Sequence, residues 1–155
     1  MVIRMGRINQ SLSWLAKELY KNDFDYFITG GAALAILGII KETKDIDVFL
    51  YKKDFPRLKK LTNNKVLPSV KGENYLELKF RGCKVEFIGV SQTYDRKSYL
   101  ALKNKDYDKI TICRQMVNVS TLENLLECYR FAYKKFGKRK HLLRMRLIES
   151  KLSKK

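Results

Sequence analysis

Apolar residues recur at helical spacing near the start of the chain, where Ile8, Leu12, Leu15, Ala16 and Leu19 share one face. That spacing predicts an amphipathic first helix over 8–20, opened near Asn9 or Ser11, with Trp14 as a packing residue. Asn22 and Asp23 break it, and 24–29 reads as the first strand. Gly30 and Gly31 turn the chain into a short apolar helix over 32–37, ended by Gly38 as C-cap. A polar loop, 41–44, leads to a second strand over 45–51. Asp54 is placed to cap a helix starting at Phe55 and Pro56, with Leu58 and Leu61 inward and Asn63 and Asn64 at its end. The segment 66–70 reads as a short strand or extended loop, because Pro68 cannot donate to a ladder.

Strict alternation follows: Leu76, Leu78 and Phe80 against Glu77, Lys79 and Arg81, then a turn at Gly82 and a returning strand over 84–90. This predicts a β-hairpin with Glu77 on its solvent face. Residues 91–108 fit either a partly helical connection or a loop. Residues 110–119 read as one strand with a break near Arg114 and Gln115. Ser120 or Thr121, with Glu123 close behind, opens a helix that buries Leu122, Leu125, Leu126, Tyr129, Ala132 and Tyr133. Gly137 ends it, and a last helix over 139–152 turns Leu142, Met145, Ile148 and Leu152 inward. The expected fold class is α+β: a small mixed β-sheet with helices packed on one side, plus a C-terminal helical hairpin. With no internal repeat or linker, 1–155 reads as a single domain, an α/β core over 1–119 carrying basic C-terminal helices over 120–155.

Composition changes this picture in one respect. A hydrophobic fraction of 45% over 155 residues suits a folded domain with its own core and excludes a disordered chain. The charge is far from balanced: 33 Lys and Arg stand against 16 Asp and Glu, a net +17. Such an excess concerns partners, and it points to polyanions, nucleic acid ahead of a membrane surface. Cys83, Cys113 and Cys128 are widely spaced, and His141 is the one histidine, so no zinc spacing exists. They read as reduced core thiols of a cytoplasmic protein. The N-terminal residues lack the apolar core of a signal peptide, and the apolar run over 32–40 is too short for a membrane span.

The candidate chemistry lies between residues 27 and 50. Asp45 and Asp47 sit one strand repeat apart, so both side chains project to one side. Two like charges that close, followed by the buried run Val48, Phe49 and Leu50, call for a cation. Gly30 and Gly31 supply a bare backbone at a helix start, where free N–H groups suit phosphate. A third carboxylate belongs on a neighbouring strand, and Glu86, flanked by Val85, Phe87 and Ile88, is the choice over Glu77 and Glu73. The alternative for Glu86 is a salt bridge to a lysine.

A glycine pair opening a short helix, then T-x-D-I-D on the next strand, resembles the nucleotidyltransferase superfamily that includes DNA polymerase beta, and most closely its small stand-alone microbial members. The resemblance covers most of the chain. It implies transfer of a nucleoside monophosphate from a nucleoside triphosphate such as ATP to an acceptor hydroxyl. Asp45, Asp47 and Glu86 would then be the catalytic, metal-holding residues for two magnesium ions, with manganese as the alternative. Gly30, Gly31, Thr43 and Lys44 would contact the nucleotide. The C-terminal V-x-S-x-E-x-L-L and K-R-K-H-L-L segments are similar to the family's as well. Two positions depart from it. Tyr129 stands where small members often have lysine, and Arg144 where they commonly have aspartate, which argues against nucleotide contacts from the tail.

Lys138, Arg139 and Lys140 are the candidate nucleic-acid contacts, with RNA or a tRNA end as the acceptor that the charge favours. A second class, a binding module that keeps the fold without turnover, rests on the basic tail interleaved with Tyr129, Phe131, Tyr133 and Phe136. A third is an adaptor whose last helices dock a partner subunit. The oligomeric state is open.

Overall fold

The structure is a computed structural model and describes residues 6–154, with side chains from residue 8 onward. The extreme N-terminus, part of the signal-peptide argument, lies outside them. One seven-stranded sheet forms the centre, in the order β3-β4-β5-β2-β1-β7-β6. Its strands are β1 (Tyr26–Thr29), β2 (Asp45–Tyr51), β3 (Leu67–Ser69), β4 (Gly72–Phe80), β5 (Cys83–Val90), β6 (Tyr107–Ile112) and β7 (Gln115–Ser120). The helices are α1 (Gly6–Lys21), α2 (Gly30–Ile36), α3 (Phe55–Leu61), α4 (Arg96–Lys103), α5 (Leu122–Phe136) and α6 (Arg139–Ser153). Two pairings are parallel, β1 with β7 and β2 with β5, and the others are antiparallel, so the sheet is mixed as expected.

Period-2 alternation divides the central strands into two faces. Ile46, Val48 and Leu50 of β2 join Tyr26, Ile28, Val85 and Phe87 on one face, under α1, α2 and α3 in the main core. Leu125, Leu126 and Tyr129 of α5 and Ile148 of α6 belong to the same apolar cluster. The opposite face was expected to be free of helices. Instead, Ala101 and Leu102 of α4 cover Phe27, Phe49 and Val90 there, forming a second, smaller core. The segment 91–108, ambiguous in sequence, is a partly helical connection: α4 forms where Asp95, at φ 50°, accepts a hydrogen bond from the Ser98 N–H and caps it, and β6 begins at Tyr107. α4 covers the end of this face away from Asp45 and Asp47.

Three local expectations change. The break near Arg114 is a complete reversal: β6 and β7 form an antiparallel hairpin whose two-residue turn, Cys113 and Arg114, has φ of 50° and 65°. That turn exposes Cys113, so it is not a core thiol, whereas Cys83 is buried. Asp54 gives α3 no side-chain cap, because its carboxylate accepts from Arg57, Oδ1 lying 3.3 Å from Nη2. Trp14 stacks on Phe80 at 4.5 Å between ring centroids and is a packing residue.

Phe87 is fully buried between β2 and β4. Truncation to alanine is expected to cost about 3–5 kcal/mol of unfolding free energy by urea titration. Val70→Ala, at a solvent-exposed turn, should leave the urea midpoint unchanged.

Candidate active site

The site grows from three adjacent strands. In register, Thr29 of β1 faces Asp47 of β2, and Asp47 faces Glu86 of β5. Paired residues on neighbouring strands share a face, so Asp47 and Glu86 project together beside Asp45. Glu86 is paired in turn with Glu77 of β4. This corrects the placement of Glu77: the face that reads as solvent in the hairpin alone is the carboxylate face of the whole sheet. Glu77 is occupied there, accepting from Ser69 Oγ at 3.2 Å and lying 3.9 Å from Lys84 Nζ. Glu73 pairs with Lys52 at 3.5 Å, away from this row.

Glu86 is 3% exposed. Its Oε1 accepts from Lys71 Nζ at 2.8 Å, so the lysine salt bridge raised as the alternative is made, by a residue on the β3–β4 turn. Its Oε2 is buried with no donor. One oxygen of a buried carboxylate is therefore left unsatisfied, a costly state that a further cation would relieve. Asp47 shows the same pressure: burial first, then the charge of Glu86, pushes its pKa up to about 6. The Lys71 ammonium opposes this, and the charge of Asp45 adds to it. Burial works against the Lys71 ammonium, yet the hydrogen bond and charge of Glu86 hold its pKa above the ordinary lysine value.

Among the described residues, no three acidic, imidazole or thiol side chains stand close enough to hold one metal ion as they are arranged. The donor set nevertheless fits one. Asp45 is exposed, Asp47 carries an unfavourable charge, and Glu86 has an oxygen without a partner, its other oxygen being held by a lysine side chain from a turn.

The glycines form the floor. Both lie in the first turn of α2, not ahead of it, and Gly30 has φ +64°. A Cβ on Gly30 would stand 2.5 Å from Asp47 Oδ2, and one on Gly31 would stand 2.8 Å from Thr43 Oγ1. The two glycines let the β2 carboxylate and the Thr43 hydroxyl approach the backbone closely. Thr43 Oγ1 also donates to the Asp45 carbonyl at 3.2 Å. Lys44 is exposed and makes no ion pair among the described residues. Lys138, Arg139 and Lys140 are exposed at the α5–α6 junction.

Sequence reasoning missed Arg144. Its Nη1 and Nη2 both lie 3.5 Å from the Cβ position of Gly31, and Nη1 donates to the Tyr129 hydroxyl at 2.9 Å. The signal was present as two departures in one tail, a lysine position lost to Tyr129 and a positive charge gained at Arg144. Only folding shows that they meet.

This sheet-and-helix fold has structural counterparts. An antigenic nucleotidyltransferase-like protein from Paracoccidioides brasiliensis superposes with a TM-score of 0.66 at 21% identity, over 94% of this chain and 75% of its own. A putative nucleotidyltransferase from Thermotoga maritima gives 0.62 at 19%, over 99% and 96%. ANT(2")-Ia in complex with adenylyl-2"-tobramycin gives 0.64 at 13%, over 93% and 88%. The chain has the nucleotidyltransferase fold. No protein-family model matches it, and no curated protein matches it in sequence. Within this fold, the carboxylate row and the glycine pair lie at the end of the sheet away from α4.

A native group whose pKa is raised from 3.8 to about 6 binds more protons folded than unfolded across that interval. Its charge therefore removes stability as pH rises through the interval, about 2–3 kcal/mol in all at 1.4 kcal/mol per unit. Without divalent ions, Asp47→Asn is expected to melt above the parent at pH 8, with the difference gone by pH 4. Equal melting temperatures at both pH values would contradict the crowding of Asp47 by Glu86.

Proposed function

We propose that the chain is a metal-dependent nucleotidyltransferase that moves a nucleoside monophosphate from a nucleoside triphosphate to an acceptor hydroxyl. The observation that carries this reading is the Asp47–Glu86 pair on adjacent parallel strands, with Oε2 of Glu86 lacking a donor, directly beside Gly30. Asp45, Asp47 and Glu86 would hold magnesium, whose chemistry is to neutralise phosphate charge and lower the pKa of the acceptor hydroxyl. Lys71, on an exposed turn, would release Glu86 for that oxygen to hold the ion. Gly30 and Gly31 leave the backbone bare for the triphosphate, and the Thr43 hydroxyl and the exposed Lys44 add a donor and a charge at its edge. Glu86 would accept the proton of the hydroxyl as it attacks the α-phosphorus and the bond to pyrophosphate breaks.

The acceptor reading follows from the surface. Phe131 and Phe136 are 61% and 59% exposed, with Lys135 Nζ 5.8 and 5.4 Å from their ring centroids. Lys138, Arg139 and Lys140 continue this basic face at the α5–α6 junction. Aromatic faces beside unpaired cations suit stacked bases and a phosphate backbone, so RNA, including a tRNA end, is the favoured acceptor. Tyr129, buried against the core, is not part of this surface. The same exposed aromatics favour the second reading, a nucleic-acid-binding module without turnover.

Incubation with each α-labelled triphosphate, magnesium and total cellular RNA should transfer label, and Asp45→Asn with Asp47→Asn should lower transfer at least a hundredfold. Salt-dependent RNA binding that survives those substitutions, with no transfer by the parent under any triphosphate, would establish the binding module. Reversing charge at Lys138, Arg139 and Lys140 should weaken RNA binding and flatten its salt dependence, leaving triphosphate affinity intact.

A further inference from the structure

Tyr129 and Arg144 come from different helices and form one unit. Tyr129 is 6% exposed on α5, and its hydroxyl accepts from Arg144 Nη1 at 2.9 Å. The guanidinium carbon of Arg144 lies 5.6 Å from the ring centroid, so ring and hydroxyl together aim the side chain. Arg144 is only partly exposed, and among the described residues no carboxylate lies within ion-pair distance of it. An arginine held in place by a neutral hydroxyl keeps most of its five donors free. Its two terminal nitrogens pack against Gly31, each 3.5 Å from where a Cβ would stand, and the Thr43 hydroxyl closes on the same point at 2.8 Å. This guanidinium thus meets a hydroxyl at the bare backbone of Gly31, next to Gly30 and its Asp47 contact.

We propose that Arg144 grips the β- and γ-phosphates of the triphosphate over Gly31, with Tyr129 as its positioning residue. The inference rests on the nucleotidyltransferase reading and extends it, because it makes the C-terminal hairpin part of the nucleotide site. A planar guanidinium suits two phosphate oxygens at once, which a lysine ammonium does not. The tail therefore contacts the nucleotide, contrary to what the two departures suggest in sequence. His141, whose ring centroid is 6.0 Å from that of Tyr129, packs beside the unit, and burial together with Lys140, Lys138 and Arg144 lowers its pKa.

The test is calorimetric titration of the full chain with inorganic tripolyphosphate, and with ATP and AMP, all with magnesium. Arg144→Gln should weaken tripolyphosphate and ATP binding about tenfold or more and leave AMP binding unchanged. Arg146→Gln, the same charge change on the exposed side of the same helix, should alter none of them. Arg144→Lys should recover only part of the loss, since it keeps the charge and loses the fork. Tyr129→Phe should raise the KM for the triphosphate with kcat retained, which a general loss of packing would not do. Each variant is checked by its thermal melt. Were Arg144→Gln to unfold, Arg144→Lys and Tyr129→Phe would carry the test. Binding of tripolyphosphate by Arg144→Gln at the parent's affinity would overturn the inference while leaving the metal site standing. Absence of any magnesium-dependent triphosphate binding by the parent would overturn the function and this inference with it.

Discussion

Two carboxylates that repel each other are held side by side by hydrogen bonds that have nothing to do with them. Asp47 and Glu86 are register partners in the parallel β2–β5 ladder, whose stability comes from Ile46, Val48, Leu50, Val85 and Phe87 on the other face. Period-2 alternation means that burying one set necessarily presents the other. A one-residue slip would bury the acids and expose the apolar side chains, so the core enforces the register. The cost appears where it was placed: Asp47 is pushed toward neutrality, and one oxygen of Glu86 lacks a donor. Lys71 relieves part of it. Strain held in this way by a core is typical of sites waiting for a charged ligand.

The rest of the molecule is arranged around that row. α4 covers the far end of the same face and seals Phe27 and Phe49, away from the acids. The shallow pocket of about 220 Å³ lined by Tyr51, Val90, Ser91 and Tyr99 lies beyond that cluster, roughly 13 Å along the strand from Asp47. It is part of the sheet's other end, not of the acidic site. Gly30 is fixed by its +64° backbone and by the Asp47 oxygen above it, a double constraint that no side chain satisfies. The C-terminal hairpin then brings Arg144 over Gly31 through the burial of Tyr129 and Ile148 in the common core. Charge of both signs thus meets at one place, although the surface as a whole is strongly basic.

Much of this was legible in the order of residues. Alternation around Leu76, Leu78 and Phe80 gives the β4–β5 hairpin, helical spacing gives α1, α5 and α6, and Asp45 and Asp47 must share a face wherever they sit on a strand. The errors have local causes. A two-residue turn made by Cys113 and Arg114 carries none of the usual glycine or asparagine, so a hairpin passes for an interrupted strand. Asp54 has the chemistry of a cap, but Arg57 competes for its carboxylate.

Properties that depend on one element's own periodicity were settled by sequence, because backbone geometry alone converts spacing into a face. Properties that depend on which elements become neighbours were not. Glu77 changes from a solvent residue to a member of the acid row once β5 lies between β4 and β2. Lys71 finds Glu86 across a turn, and Arg144 finds Gly31 across more than a hundred residues of chain. Contacts of that kind are fixed by the packing of the whole core, and no local pattern encodes them.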